Sequence, residues 1–125
     1  AKDRPAISRD RPQVWKLGPV FQPIYGAFAG FRDQSITAPQ PIGPFSGAHS
    51  IPSSDIYESK LIDWVWSRYG PFSGIQLSDM THEKGTPWYE TARKHNFVVP
   101  KFCEMDDNEI RTYFTNLGRK EGYIQ

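Results

Sequence analysis

The chain has 125 residues, the length of one ordinary domain, with 38% hydrophobic and 14% aromatic residues. Fifteen basic against fourteen acidic residues leave a net charge of +1, which gives no global argument for nucleic acid or an anionic membrane as partner. One cysteine, Cys103, excludes an intrachain disulfide and a thiolate-rich metal site.

Residues 1–16 are polar, with Lys2, Arg4, Arg9, Arg11 and Lys16 outweighing Asp3 and Asp10. This composition predicts a solvated arm; aromatic residues, which a nucleic-acid arm would interleave with its cations, are nearly missing from it. In "KLGPVFQPIYGAFAGF", Gly18-Pro19 and Pro23 make a stiff entry to a short helix. Its apolar face is Ile24, Ala27, Phe28 and Phe31, and Gly26 and Gly30 weaken it. Residues 35–52 hold four prolines and two glycines, a long loop of the kind that carries function.

Three punctuated helices follow. Asp55 caps the first with Glu58 as reciprocal partner; Ile62, Val65, Trp66 and Tyr69 form its apolar face, and Gly70-Pro71 ends it. Trp64 and Trp66, two positions apart, point to nearly opposite sides, so this helix is either central or offers one Trp to a partner. The second helix begins with a Ser73–Gln76 capping box and is expected to run to Lys84, stopping at Gly85. Thr86 caps the third, with Pro87 in its first turn and Trp88 and Tyr89 behind. After an expected extended piece, "FVVPKF", Asp106 caps a fourth helix with Glu109 answering. Ile110, Tyr113, Phe114 and Leu117 make its stripe and Gly118 ends it.

These elements predict a mainly α fold: one compact helical domain with minor extended segments and a Pro/Gly-rich loop. The expected division is an arm over 1–14, a core over 15–118 and a tail over 119–125. No apolar run reaches the roughly 20 residues of a membrane helix, and the charged start lacks the apolar stretch of a secretory signal. With a lone cysteine, these features point to the cytoplasm.

Candidate chemistry centres on "THEKGTPW". His82, near the end of its helix, reads first as a joint that fixes where the next helix departs. The competing reading is a general base oriented by Asp79 or Glu83 in a small hydrolase. Cys103 sits in "KFCEMDD", where the following carboxylates disfavour a thiolate, so a catalytic cysteine is not expected. Neither His-x-x-x-His, His-Glu-x-x-His nor Cys-x-x-Cys spacing occurs around His49, His82, His95 and Cys103, and there is no glycine-rich phosphate loop; no metal or cofactor is expected.

Taken together, "VWKLGPVFQPIY" and "VWSRYGPFSGIQLSDMTHEKGTPW" resemble the Panacea domain of phage-associated GepA-like proteins and of antitoxins in toxin–antitoxin pairs. The motif positions are Trp15, Gly18, Pro19, Val20 and Tyr25, then Tyr69, Gly70, Leu77, Ser78, Thr81, His82, Pro87 and Trp88. The resemblance covers about residues 5–117, and the two blocks in this order are far more specific than either alone. Fourteen residues precede Trp15, where the family usually carries additional helices, so either that material has been cut away or this is a shortened version. What the resemblance implies is a helical module that binds proteins: a cognate toxin, in at least one member handed on to a protease. It implies no enzymatic activity, cofactor or metal. A nucleic-acid-binding regulator using the basic arm is the remaining alternative, and neither the toxin nor the oligomeric state is legible.

Overall fold

The computed structural model describes residues 10–38 and 56–123. Its elements in chain order are β1 (Gln13–Trp15), β2 (Gly18–Val20), α1 (Gln22–Phe28) with a 3-10 turn (Ala29–Phe31), α2 (Ile56–Tyr69), α3 (Gly74–Thr81), α4 (Pro87–Lys94) and α5 (Asp107–Lys120). The described chain is mainly α, as expected, with one small sheet. No helix among the described residues is long and apolar enough to cross a membrane.

The chain divides into two compact units, one of residues 1–21 with 81–125 and one of residues 22–80. In the first, β1 and β2 form an antiparallel hairpin in which Val14 faces Pro19 and Trp15 faces Gly18. The other edge of β1 is also paired. Val14 N–H donates to the Cys103 carbonyl at 2.8 Å and Met105 N–H to the Pro12 carbonyl at 2.9 Å, around a bridge between Gln13 and Glu104. The buried apolar side chains are Val14, Ala92 and Met105, with Trp88, Val99 and Ile110 packed against them. The solvated arm expected over residues 1–16 fails at its described end, where Pro12 is buried and Val14 is only 6% exposed; residues 1–9 lie outside the described residues. The charges of that stretch concealed a strand.

The helix starts follow their local chemistry. Ser73 N–H donates to Gln76 Oε1 at 2.8 Å and Gln76 N–H to Ser73 Oγ at 3.2 Å, a reciprocal capping box. Thr86 accepts from Tyr89 N–H, with Pro87 in the first turn of α4, and Asp106 accepts from the N–H groups of Asn108 and Glu109. The cap expected at Asp55 lies outside the described residues, as do residues 39–52 of the expected loop.

Four further expectations are corrected. The helix expected to reach Lys84 ends at Thr81. Thr86 Oγ–H lies 2.6 Å from the Thr81 carbonyl and 2.8 Å from that of Glu83, and by taking up these carbonyls it closes the chain into a turn. The last helix does not end at Gly118, which is buried inside it, but runs to Lys120, two residues into the expected tail. Gly122 (φ +74°) reverses the chain, with Tyr123 N–H donating to Gly118 O and Gly122 N–H to Arg119 O, the double bond pattern of a glycine-terminated helix. The piece expected to be extended, 97–102, forms no strand and has turns at both ends: Phe97 and Phe102, like Asn96 just before the stretch, have φ between +54° and +63°. Glu109 turns its carboxylate toward Lys94 and Thr91 of α4 instead of back across its own cap.

In the second unit α1 and the 3-10 turn bring Phe28 and Phe31 to a ring separation of 6.3 Å. On α2, Trp64 meets Tyr69 edge-on at 6.3 Å, and the Arg68 guanidinium sits 5.2 Å from the Tyr69 ring and 5.9 Å from that of Trp64. None of the described residues of this unit is buried.

Candidate functional site

The two sequence blocks meet at one place in the first unit. His82, just beyond α3, has its Nε2 2.8 Å from the carbonyl oxygen of Lys16, in the hairpin turn. A carbonyl only accepts, so Nε2 carries the proton; in the neutral ring Nδ1 is then the acceptor for the Thr81 hydroxyl, 3.3 Å away. The imidazole lies against the Trp88 indole, ring centroids 4.0 Å apart. Trp88 in turn donates its indole N–H to the carbonyl of Trp15 at 2.8 Å, and Trp15 donates its own to the Gln13 side chain at 3.0 Å. Two consecutive carbonyls of the hairpin, those of Trp15 and Lys16, are thus held by side chains from either side of the α3–α4 turn.

Gly18 explains its own place in the motif. Its φ of +128° is a conformation that favours glycine, and a β-carbon there would stand 2.8 Å from Thr81 Oγ1. Side-chain bulk at this point would push the hairpin off Thr81. Thr86, 5% exposed, adds the contacts that shape the turn from the other side. Trp15, Gly18, Thr81, His82 and Trp88 are therefore gathered into one latch, and Pro87 is buried at the start of α4, where its carbonyl accepts from the Thr91 hydroxyl. Pro19 lies beside it on β2 with its ring exposed. Tyr25, Tyr69 and Ser78 lie in the other unit, where Tyr25 is exposed and Tyr69 and Ser78 are half-buried.

Chemically the latch binds chain to chain. Both ring nitrogens of His82 have partners, Lys16 O and Thr81 Oγ1, which leaves neither as the open site a general base presents to a substrate. Sequence reasoning placed Thr86 as a helix cap and missed its second role; a Thr before Pro signals the cap, whereas its reach back to Thr81 depends on the turn. The Lys16 carbonyl was invisible in principle, because a backbone acceptor has no residue signature.

Two recesses flank this frame. One, of about 290 Å³, opens between β1 and α4 and is lined by Val14, Trp15, Lys16, Trp88, Ala92, Phe97 and Val99. A larger one, about 600 Å³, runs between α4 and α5, where Glu90 pairs with Arg93 and Glu109 with Lys94. Large apolar side chains stand out in solvent in both units: Leu17 and Val98 in the first, Trp66 (75% exposed) and Ile75 (78%) in the second. Of the two Trp residues on α2, Trp64 is half-buried and Trp66 is exposed; Trp88 on α4 is half-buried.

The family model "Antitoxin SocA-like, Panacea domain" matches residues 2–89, which include both motif blocks and the whole latch. The chain belongs to this family. The match ends inside α4, so α5 and the segment before it lie beyond the matched region. No curated protein and no solved structure matches the chain.

Proposed function

We propose that this protein is an antitoxin that neutralises a cognate toxin by direct contact in the cytoplasm, using the latch as its frame and exposed apolar side chains as its contact surface. The observation that carries the reading is the family match across residues 2–89. The latch supports it: residues that a hydrolase would expose to substrate are engaged in holding the hairpin to the α3–α4 turn. The exposed aromatic and aliphatic residues support it too, since an aromatic anchor such as Trp66, displayed on a helix rather than buried, is what a protein interface recruits.

The test is co-expression with the product of the adjacent gene. Growth inhibition by that product, relieved by this chain and accompanied by a stable complex on purification through it, is the expected result. A harmless neighbour that does not co-purify would contradict it. Measuring the toxin's lifetime in the same cells adds one distinction: a lifetime shortened only in protease-proficient cells means that this antitoxin also delivers its toxin for degradation.

A further inference from the structure

On the protein-binding reading above, we propose that the recess between β1 and α4 is a docking pocket for a protein partner. The partner inserts one large apolar side chain and sets an acidic residue beside it against Lys16. Six lining residues are apolar or aromatic: Val14, Trp15, Trp88, Ala92, Phe97 and Val99. Lys16 completes the lining and is its one charged residue.

Hydrogen bonding decides what the recess can hold. The Trp88 indole N–H is engaged by the Trp15 carbonyl, and the Trp15 indole N–H by Gln13 Oε1. With both donors in use, a polar group entering here would lose its bonds to water without replacement, whereas an apolar one gains by leaving water. At about 290 Å³ the recess falls at the lower end of ligand cavities, roughly 300–1,000 Å³, which suits a single side chain rather than a cofactor. It runs from the buried centre of the first unit, at Val14 and Ala92, out to an exposed Phe97, whose ring is braced by Tyr89 at 5.4 Å. Leu17 and Val98, each next in sequence to a lining residue, extend the apolar surface into solvent.

Charge defines the rest of the partner's chemistry. Lys16 is exposed, and among the described residues its ammonium pairs with no carboxylate, whereas Arg11, Arg93 and Lys94 each have one. Its backbone is fixed by the latch, since His82 Nε2 holds its carbonyl at 2.8 Å. One uncompensated cation beside an apolar hollow favours a carboxylate next to the inserted side chain. The larger recess between α4 and α5 lacks this bias, because Glu90 and Glu109 there neutralise Arg93 and Lys94. Trp15 and Trp88 are motif positions, while Ala92, Phe97 and Val99 lie beyond the matched residues 2–89. One wall thus belongs to the family pattern and the other does not, an arrangement suited to selecting a particular partner.

The test titrates the full chain with the blocked peptide acetyl-Gly-Asp-Phe-Gly-amide and follows the indole N–H resonances of Trp15 and Trp88 by NMR. Both are expected to shift and saturate, with a dissociation constant on the order of 1 mM. Asparagine in place of the peptide's aspartate is expected to weaken binding at least about threefold. Lys16→Glu keeps the carbonyl that His82 uses; it is expected to melt as wild type does and to prefer a peptide with lysine in place of aspartate. No saturable shift by about 10 mM overturns the proposal, as does equal binding of the aspartate and asparagine peptides. Indole shifts that follow the concentration of the protein alone give the recess to a second copy of this chain and also overturn it. The peptide comparison needs neither a variant nor a toxin, so the pocket can fail while growth rescue by co-expression succeeds, and the reverse.

Discussion

His82 joins segments 66 positions apart through one ring, and Gly18 lets them approach closely enough for the bond to form. The two residues fail in different ways when replaced. Gly18→Ala keeps every polar group but forces a β-carbon against Thr81 Oγ1 at an unfavourable φ, and is expected to destabilise by about 1–3 kcal/mol, read as a lowered denaturant midpoint with an unchanged slope. His82→Ala removes the donor to Lys16 O and the face against Trp88 together. The pairing of Thr81 with His82 could be read from the sequence both as a joint and as a family motif. Its partner could not, since the Lys16 carbonyl is defined only by how the hairpin turns.

Local signals served best at the scale of the element. The caps at Ser73, Thr86 and Asp106 each depend on residues three or fewer positions away, so their chemistry is written in adjacent letters and reappears as bonds. Helix ends depend on more distant competition. Thr86 draws carbonyls away from α3, and Gly118 stays helical because Gly122 supplies the reversal. The hairpin was illegible because its strands are three residues long, one contains Pro19, and charged residues surround them. Thr86→Ala should therefore cost more than an ordinary cap, about 2 kcal/mol, because it loses the α3–α4 turn as well as the start of α4. Thr86→Ser, keeping the hydroxyl, should recover most of it in the same unfolding measurement.

For the whole molecule, the contrast between its units is what relates structure to binding. The first has a small buried centre; the described residues of the second have none, and Trp66 and Ile75 stand exposed there. Trp66→Ala is expected to leave stability within about 0.5 kcal/mol of wild type. If Trp66 is a toxin anchor, the same variant loses at least about tenfold in affinity, measured on the purified complex. The helical class and the family motif could be read from sequence because both rest on pattern. The convergence of the two blocks could not, because it is a long-range contact closed by backbone groups.

On the function proposed above, the latch is a structural frame for binding rather than a reactive centre. The direct measurement is the melting temperature of His82→Ala, taken beside its ability to rescue growth against the toxin. The expected result is a melting temperature lower by several degrees, for a loss of about 1–3 kcal/mol, with rescue weakened in parallel. An unchanged melting temperature with rescue abolished would contradict it, and would make His82 a residue that acts on the partner directly.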